Sequence, residues 1–378
     1  MKLLSKNIGI LTLIYFCFQL QLIGQTKHTV VYGNHATITK TFERNTLRIF
    51  MDMNGDFYPE NIISNEELEK HGKSQLIIWS KNNPDKFSQI ASSYHLTSSS
   101  FSEENYFILQ DSIQKTILTT LNNPTFTIQT WVFHGFRKQI AGSEIDNLTS
   151  IYENEVFRNR INNYTKNDTT NLIVEVYWDG KYELRGGVLR TIKLGILFKK
   201  EAIPNAINCG HSLRKVFNEI KCKHINIVSH STGTFITSNL LFNTTKYNSY
   251  PTPSQADIRI VLTASASPGI KHFKNYYNRN STFEFKTQDN YKLFNLINEN
   301  DEVLLKKKGN IQLPKTLGNT TLGCNFKGES DQLKVYFKEN FCSSIYKEGY
   351  VENTSSHWFK SYISSTGFNE VLLFLFDE

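Results

Sequence analysis

The sequence predicts an α/β fold, a mostly parallel sheet with helices on both faces, and three observations carry that expectation. Short runs of β-branched and aromatic residues alternate with longer stretches of helical periodicity. The runs within 126–133, 172–177, 225–228 and 258–262 are apolar on successive residues, as a strand is when helices cover both its faces. No internal repeat or low-complexity linker divides the chain, so one large domain is the economical organisation.

Taken in order, strands are expected at Leu47 to Met51, Leu76 to Trp79, Phe126 to Phe133, Leu172 to Tyr177, Ile225 to Val228, Ile258 to Leu262 and Leu293 to Ile297. Helices are expected at Glu103 to Leu121, Ile145 to Asn162, Ser212 to Ile220 and Thr234 to Phe242. Residues 26–100 read as the first strands of the sheet or as a small accessory region, and residues 101–378 as the main domain. A stretch near 305–346 breaks the alternation with Gly, Lys and the two last cysteines, and is expected to be an excursion between the last strands.

Composition bounds the class of protein. With 378 residues, 39% hydrophobic and 20% charged, the chain has enough apolar residues for a large core, which excludes a disordered chain. The formal charge of +7 comes from scattered basic residues, with Lys306-Lys307-Lys308 the only tight run. That run reads as a solvated loop, because no aromatic-basic motif accompanies it, and no nucleic-acid partner is expected.

At the N-terminus, Lys2 and Lys6 precede an apolar run from Ile8 to about Leu20, and residues 1–25 read as a signal peptide. Gln19 and Gln21 shorten the run below a comfortable span, so no stable membrane span is expected in the mature chain, which is exported to the periplasm or beyond the cell. Export makes Cys209, Cys222, Cys324 and Cys342 candidates for disulfides, with proximity favouring 209 with 222 and 324 with 342. No His/Cys cluster has zinc-site spacing, so no metal is expected. Asp52-Met53-Asn54-Gly55-Asp56 resembles the start of a calcium loop, but Phe57 stands where such a loop turns on Gly and Ile63 where its bidentate Glu belongs. A turn ending a strand is the better account.

Four segments carry chemistry. The strand His224 to Val228 runs into Ser229-His230-Ser231-Thr232-Gly233 and then into a helix, which is the context of a nucleophile elbow. The tight turn lifts the Ser231 side chain above the sheet and puts the Thr232 N–H at a helix N-terminus, where it can donate to a developing oxyanion. Ser229 replaces the first Gly of the usual Gly-x-Ser-x-Gly, a departure that its small size permits. Second, the apolar Trp131-Val132-Phe133 ends in His134-Gly135-Phe136.

The third segment, Phe294 to Val303, is a strand ending in acids and amides. An acid there can accept from an imidazole and hold its tautomer; Asp301 fits best, with Glu299 and Glu302 as rivals. Fourth is the polar loop Thr354-Ser355-Ser356-His357-Trp358 before an apolar, helical C-terminus.

Together with Glu175-Val176-Tyr177-Trp178-Asp179-Gly180, these segments resemble the α/β-hydrolase superfamily, and among its members bacterial esterase/lipase-like proteins, over about two thirds of the chain, from Phe126 to the C-terminus. The resemblance implies an eight-stranded sheet or a variant of it, hydrolysis of an ester, thioester or amide through an acyl-enzyme, and no cofactor. Its chain order is nucleophile, acid, base, and His357 is the one His that follows Asp301. The expected catalytic residues are therefore Ser231, Asp301 and His357, with the backbone N–H groups of Phe136 and Thr232 as the oxyanion hole. The expected partner is a small-molecule or lipid ester. Tyr177, Trp178 and the segment after Leu305 suit an acyl pocket or core packing equally. Three other outcomes share the fold: an acyltransferase with the same acyl-enzyme, a catalytically silent binding module, and a peptidase, which no feature of the sequence favours.

Overall fold

Strands that are apolar on both faces need parallel neighbours and helical cover, and the computed structural model has both. It describes residues 42–43, 45–59, 75–140, 149–178, 181–184, 198–242, 256–267, 291–308, 311–312, 322–340 and 346–377. The strands are β1 (Phe42–Glu43), β2 (Thr46–Met51), β3 (Ile128–Phe133), β4 (Arg137–Ile140), β5 (Asn171–Trp178), β6 (Lys181–Leu184), β7 (His224–His230), β8 (Asp257–Thr263), β9 (Tyr291–Ile297), β10 (Lys307–Lys308), β11 (Ile311–Gln312) and β12 (Tyr346–Tyr350). Eight form one sheet in the order β1-β2-β5-β3-β7-β8-β9-β12. Seven are mutually parallel, and β1 closes the edge as an antiparallel hairpin with β2. Strands β4 and β6 make a separate parallel pair, and β10 and β11 an antiparallel one. The expected mixed α/β class is thus the observed one, and the first strands of the sheet come from the 26–100 region.

The helices are α1 (Leu76–Asn82), α2 (Pro84–Ser93), α3 (Glu103–Leu121), α4 (Thr149–Tyr164), α5 (Ile203–Asn218), α6 (Gly233–Leu241), α7 (Glu329–Asn340), α8 (Phe359–Ile363) and α9 (Gly367–Phe376). Both faces of the sheet are covered. On β9, the Tyr291 ring meets Phe242 at the end of α6 at 5.7 Å, while Phe294, on the opposite face by strand alternation, packs on Phe374 of α9 at 5.4 Å. None of the helices in the described residues is long and apolar enough to cross a membrane. The expected signal segment lies outside the described residues.

Four expectations need correction. Leu76 to Trp79 is helical, not a strand. A short apolar run fits either state, and here Asp52 decides: its buried carboxylate accepts the Leu76 N–H at 2.8 Å and caps the helix, so that Leu76, Trp79 and Ser80 turn inward at helical spacing. The same carboxylate accepts the N–H groups of Asn54 and Asp56 at 2.8 and 2.9 Å, so the acidic segment is the turn that ends β2.

Helix α5 begins at Ile203, nine residues before the expected Ser212 (212 − 203 = 9), and continues directly from a π-helical turn at Phe198–Ala202. Lys306 is buried rather than solvated: it closes the turn after β9 at φ +58°, its Nζ lies 3.4 Å from the Val303 carbonyl, and burial lowers its pKa to about 8.

The fourth correction concerns the 209–222 disulfide, which is not formed. Cys209 faces the core from α5 with its Sγ 3.7 Å from the Asp52 carbonyl, whereas the Cys222 Sγ donates to the carbonyls of Thr127 and His224. Cys324 is a buried thiol whose pKa burial pushes up to about 12, and Cys342 lies outside the described residues.

Two polar groups inside the fold yield predictions. Arg48 and Glu175 face each other across the β2–β5 ladder, with Arg48 Nε 3.2 Å from Oε2. Arg158 of α4 binds the other carboxylate oxygen, and the Tyr177 hydroxyl donates to Oε2 at 2.9 Å. Glu175→Gln leaves two guanidinium groups without their compensating charge and is expected to cost about 3 kcal/mol, read as a lower urea midpoint at constant m-value.

His211, on α5, has its pKa lowered to about 4, first by burial and then by Arg214. Its folded pKa lies below the unfolded one, so the stability tied to its neutral form is present above about pH 6.5 and is lost as pH falls toward 4. The melting temperature of wild type is therefore expected to fall more steeply over that window than that of His211→Gln; parallel curves would rule out this origin.

Candidate active site

The site forms at the carboxyl ends of the parallel strands. Strand β7 ends at His230, and Ser231 takes φ +52°, a left-handed conformation that a side-chain-bearing residue holds only when its surroundings enforce it. The enforcement is visible in the hydrogen bonds. Ser231 N–H donates to the Thr263 carbonyl at the end of β8 at 3.0 Å, and the Ser231 carbonyl accepts from Thr234 N–H, Thr234 Oγ1 and Ala266 N–H at 3.1, 2.6 and 3.3 Å.

Helix α6 then starts at Gly233, hard against the end of β3: a Cβ on Gly233 would lie 2.5 Å from the Phe133 carbonyl oxygen. The far end of α6 is capped by Arg214, which donates to the carbonyls of Asn239 and Phe242. Ser229, in the place of the usual Gly, is fully buried and donates to the Val261 carbonyl at 3.3 Å.

Beyond β3, Gly135 runs alongside the elbow, where a Cβ would stand 2.8 Å from the Ser231 Cβ. The backbone leading to Phe136 therefore passes beside Ser231, and the half-buried Phe136 ring packs on Phe198 at 5.5 Å. His134 holds this bend without reaching Ser231. Its Nδ1–H donates to the Gly135 carbonyl at 2.8 Å, its Nε2 accepts the Trp178 N–H at 3.3 Å, and its ring stacks on Trp178 at 5.6 Å. That tautomer follows from the partners. Tyr177 and Trp178 are both buried in this packing, so they serve the core.

Asp301 lies four residues past β9 and is wholly buried, while Glu299 is exposed and Glu302 only half-buried. Its Oδ1 accepts the N–H groups of Val303 and Leu304, each at 3.0 Å, which closes the turn and aims Oδ2 inward. Oδ2 meets His357 Nδ1 at 2.7 Å, and His357 Nε2 meets Ser231 Oγ at 2.8 Å. The His357 side chain is 16% exposed.

Thr232, fully buried, occupies the position just before α6. All five residues expected from sequence thus fall in one place: three are joined by side-chain hydrogen bonds, and two lie on the backbone beside them.

Sequence reasoning missed the residues that hold His357. His230 Nε2–H donates to the His357 carbonyl at 2.9 Å, and its ring stacks on Phe359 at 5.1 Å. Asn298 Nδ2 donates to the Ser356 carbonyl at 3.3 Å, and the Tyr362 hydroxyl donates to Asp301 Oδ2 at 2.7 Å. His230 stands next to Ser231 in the chain, whereas Tyr362, five residues past His357, carries no local signal. Scanned against protein-family models, the sequence matches none, and a search of curated proteins finds no match.

Proposed function

We propose that the chain is a serine hydrolase of the α/β-hydrolase type that cleaves a carboxylic ester, or a thioester or amide, through an acyl-enzyme on Ser231. The observation that carries the reading is the continuous line Ser231 Oγ, His357, Asp301, with links of 2.8 and 2.7 Å, in the chain order nucleophile, acid, base. The eight-stranded sheet, and a left-handed Ser231 between β7 and α6, support the same family.

In this reading His357 Nε2 takes the Ser231 hydroxyl proton as Oγ attacks the substrate carbonyl, and the C=O electron pair moves onto oxygen. The N–H groups of Phe136 and Thr232 receive that oxyanion. The pair returns to re-form the carbonyl as the leaving alkoxide departs, and the alkoxide takes its proton from His357. Asp301 keeps Nδ1 protonated throughout and stabilises the imidazolium. Water, deprotonated by His357, then attacks the acyl-enzyme; as the new tetrahedral intermediate collapses, the C–Oγ bond breaks, His357 returns the proton to Ser231 Oγ, and the acid leaves. Every proton transfer has a named donor and acceptor, and no step calls on a cofactor. The substrate is a small-molecule or lipid ester, and the reading includes export after loss of residues 1–25.

The test is fluorophosphonate labelling of the purified protein, with a panel of nitrophenyl esters of graded chain length run with and without an added alcohol. Labelling and release of free acid support the hydrolase. Transfer of the acyl group to the alcohol in preference to water makes the protein an acyltransferase. Absence of labelling in the folded protein refutes the enzyme reading and leaves a binding module.

A further inference from the structure

Asp301 is a buried carboxylate with four donors. Two are backbone N–H groups on Oδ1, and two are side chains on Oδ2: His357 and, at the same 2.7 Å, the hydroxyl of Tyr362. Tyr362 is 0% exposed on α8, five residues past His357, so base and phenol reach the carboxylate from one segment of chain. Its ring stands edge-on to His230 at 6.0 Å, and His230 in turn holds the His357 carbonyl.

A phenol on the oxygen that faces His357 does two things. It fixes the carboxylate plane, and it draws off part of the negative charge that stabilises the imidazolium. We propose that Tyr362 is a positioning residue of this site, holding Asp301 in line with His357 and taking a share of the carboxylate charge that Oδ2 presents to the imidazole. The catalytic part of this inference rests on the hydrolase reading; the effect on His357 itself does not.

Burial and the Asp301 charge push the phenol pKa well above its ordinary value, so the hydroxyl remains a donor over the working pH range. Among the described residues, the other titratable groups facing the pair are His230 at the end of β7, Lys306 on the 301–306 turn and Cys324 on the 3₁₀ turn at 322–324. All three are common to wild type and variant, so a difference between the two reports on Tyr362.

The experiment is Tyr362→Phe, which keeps the ring, followed by NMR titration of the His357 imidazole and by pH profiles on the best ester of the panel. The His357 titration, and with it the acidic limb of kcat/KM, is expected to move up by about half a unit to one unit. Over the same change, kcat falls about three- to tenfold and KM stays within about twofold. In an Asp301→Asn background the same change has no carboxylate to act on and moves neither titration nor limb.

A 3-fluorotyrosine at position 362 keeps the ring, strengthens the donor and is expected to move the titration down, which tests the idea even where the Phe variant folds poorly. A His357 titration unmoved by both replacements overturns the proposal and makes Tyr362 a core residue. A wild type that takes no fluorophosphonate overturns the hydrolase reading, while the imidazole titration still decides the role of Tyr362.

Discussion

Ser231→Ala and His357→Ala will each lose fluorophosphonate labelling and about five orders of magnitude in kcat, with melting temperatures within a few degrees of wild type. In the proposed hydrolase reading the first removes the attacking oxygen and the second the group that accepts its proton, so neither loss can be offset by binding alone. Ser231 is 4% exposed and His357 lies at the rim, so each replacement vacates little buried volume and the fold should hold.

Asp301→Asn is the more informative third member. The N–H groups of Val303 and Leu304 on Oδ1 demand an acceptor there, so the amide oxygen must take that position and the amide nitrogen the position of Oδ2. The amide then donates to His357 Nδ1 and imposes the wrong tautomer, placing a proton on Nε2 where Ser231 needs a base. A loss of about 10⁴ in kcat with the backbone unchanged is expected. Retention of full activity in any one of the three variants would end the triad reading.

Gly233→Ala is expected to destabilise the fold by about 2 kcal/mol or more and to slow labelling of Ser231 in the same protein. Two effects oppose each other here. Alanine at the start of α6 is favoured over glycine by about 1 kcal/mol of helix propensity. Against that, the new Cβ would lie 2.5 Å from the Phe133 carbonyl oxygen, 2.8 Å from that of His134 and 3.0 Å from the Phe133 carbonyl carbon, all backbone atoms that no rotamer change can move.

The steric cost wins because relief requires α6 to back away from β3, and that motion carries Ser231 away from the Gly135 bend. Urea unfolding alongside the labelling rate measures both consequences. Ser238→Ala, further along the same helix, where the hydroxyl donates to the Phe235 carbonyl and accepts from Asn239 Nδ2 within its own helix, serves as the control that changes little. A more stable Gly233→Ala would mean that helix propensity outweighs the contact and that the close approach at the elbow is not enforced.

How far the site was legible in the sequence can be followed residue by residue. Ser231 was legible because strand, small-residue turn and helix are contiguous, and His357 because it is the last His of the chain. Asp301 was legible as the best of three acids, four residues past its strand and just before apolar Val303, and burial is what separates it from Glu299 and Glu302 in the fold. The strand β12 went unseen: Tyr346-Lys347-Glu348-Gly349-Tyr350 places two charges in its middle, and its pairing with β9 is what makes it a strand. Leu76 to Trp79 was misread for the converse reason, because a run of four apolar residues has no period and a carboxylate 24 positions upstream settled its state.

By itself, then, the sequence determined the α/β class, most strands of the central sheet and the elbow around Ser231, because periodicity and turn chemistry act over a few neighbouring residues. The tertiary structure alone decided which acid meets His357, that Tyr362 shares that acid, and that His230 grips the His357 loop. The last two contacts join residues 61 and 127 positions apart. Sheet order and register set such distances, and no local pattern in the chain encodes them.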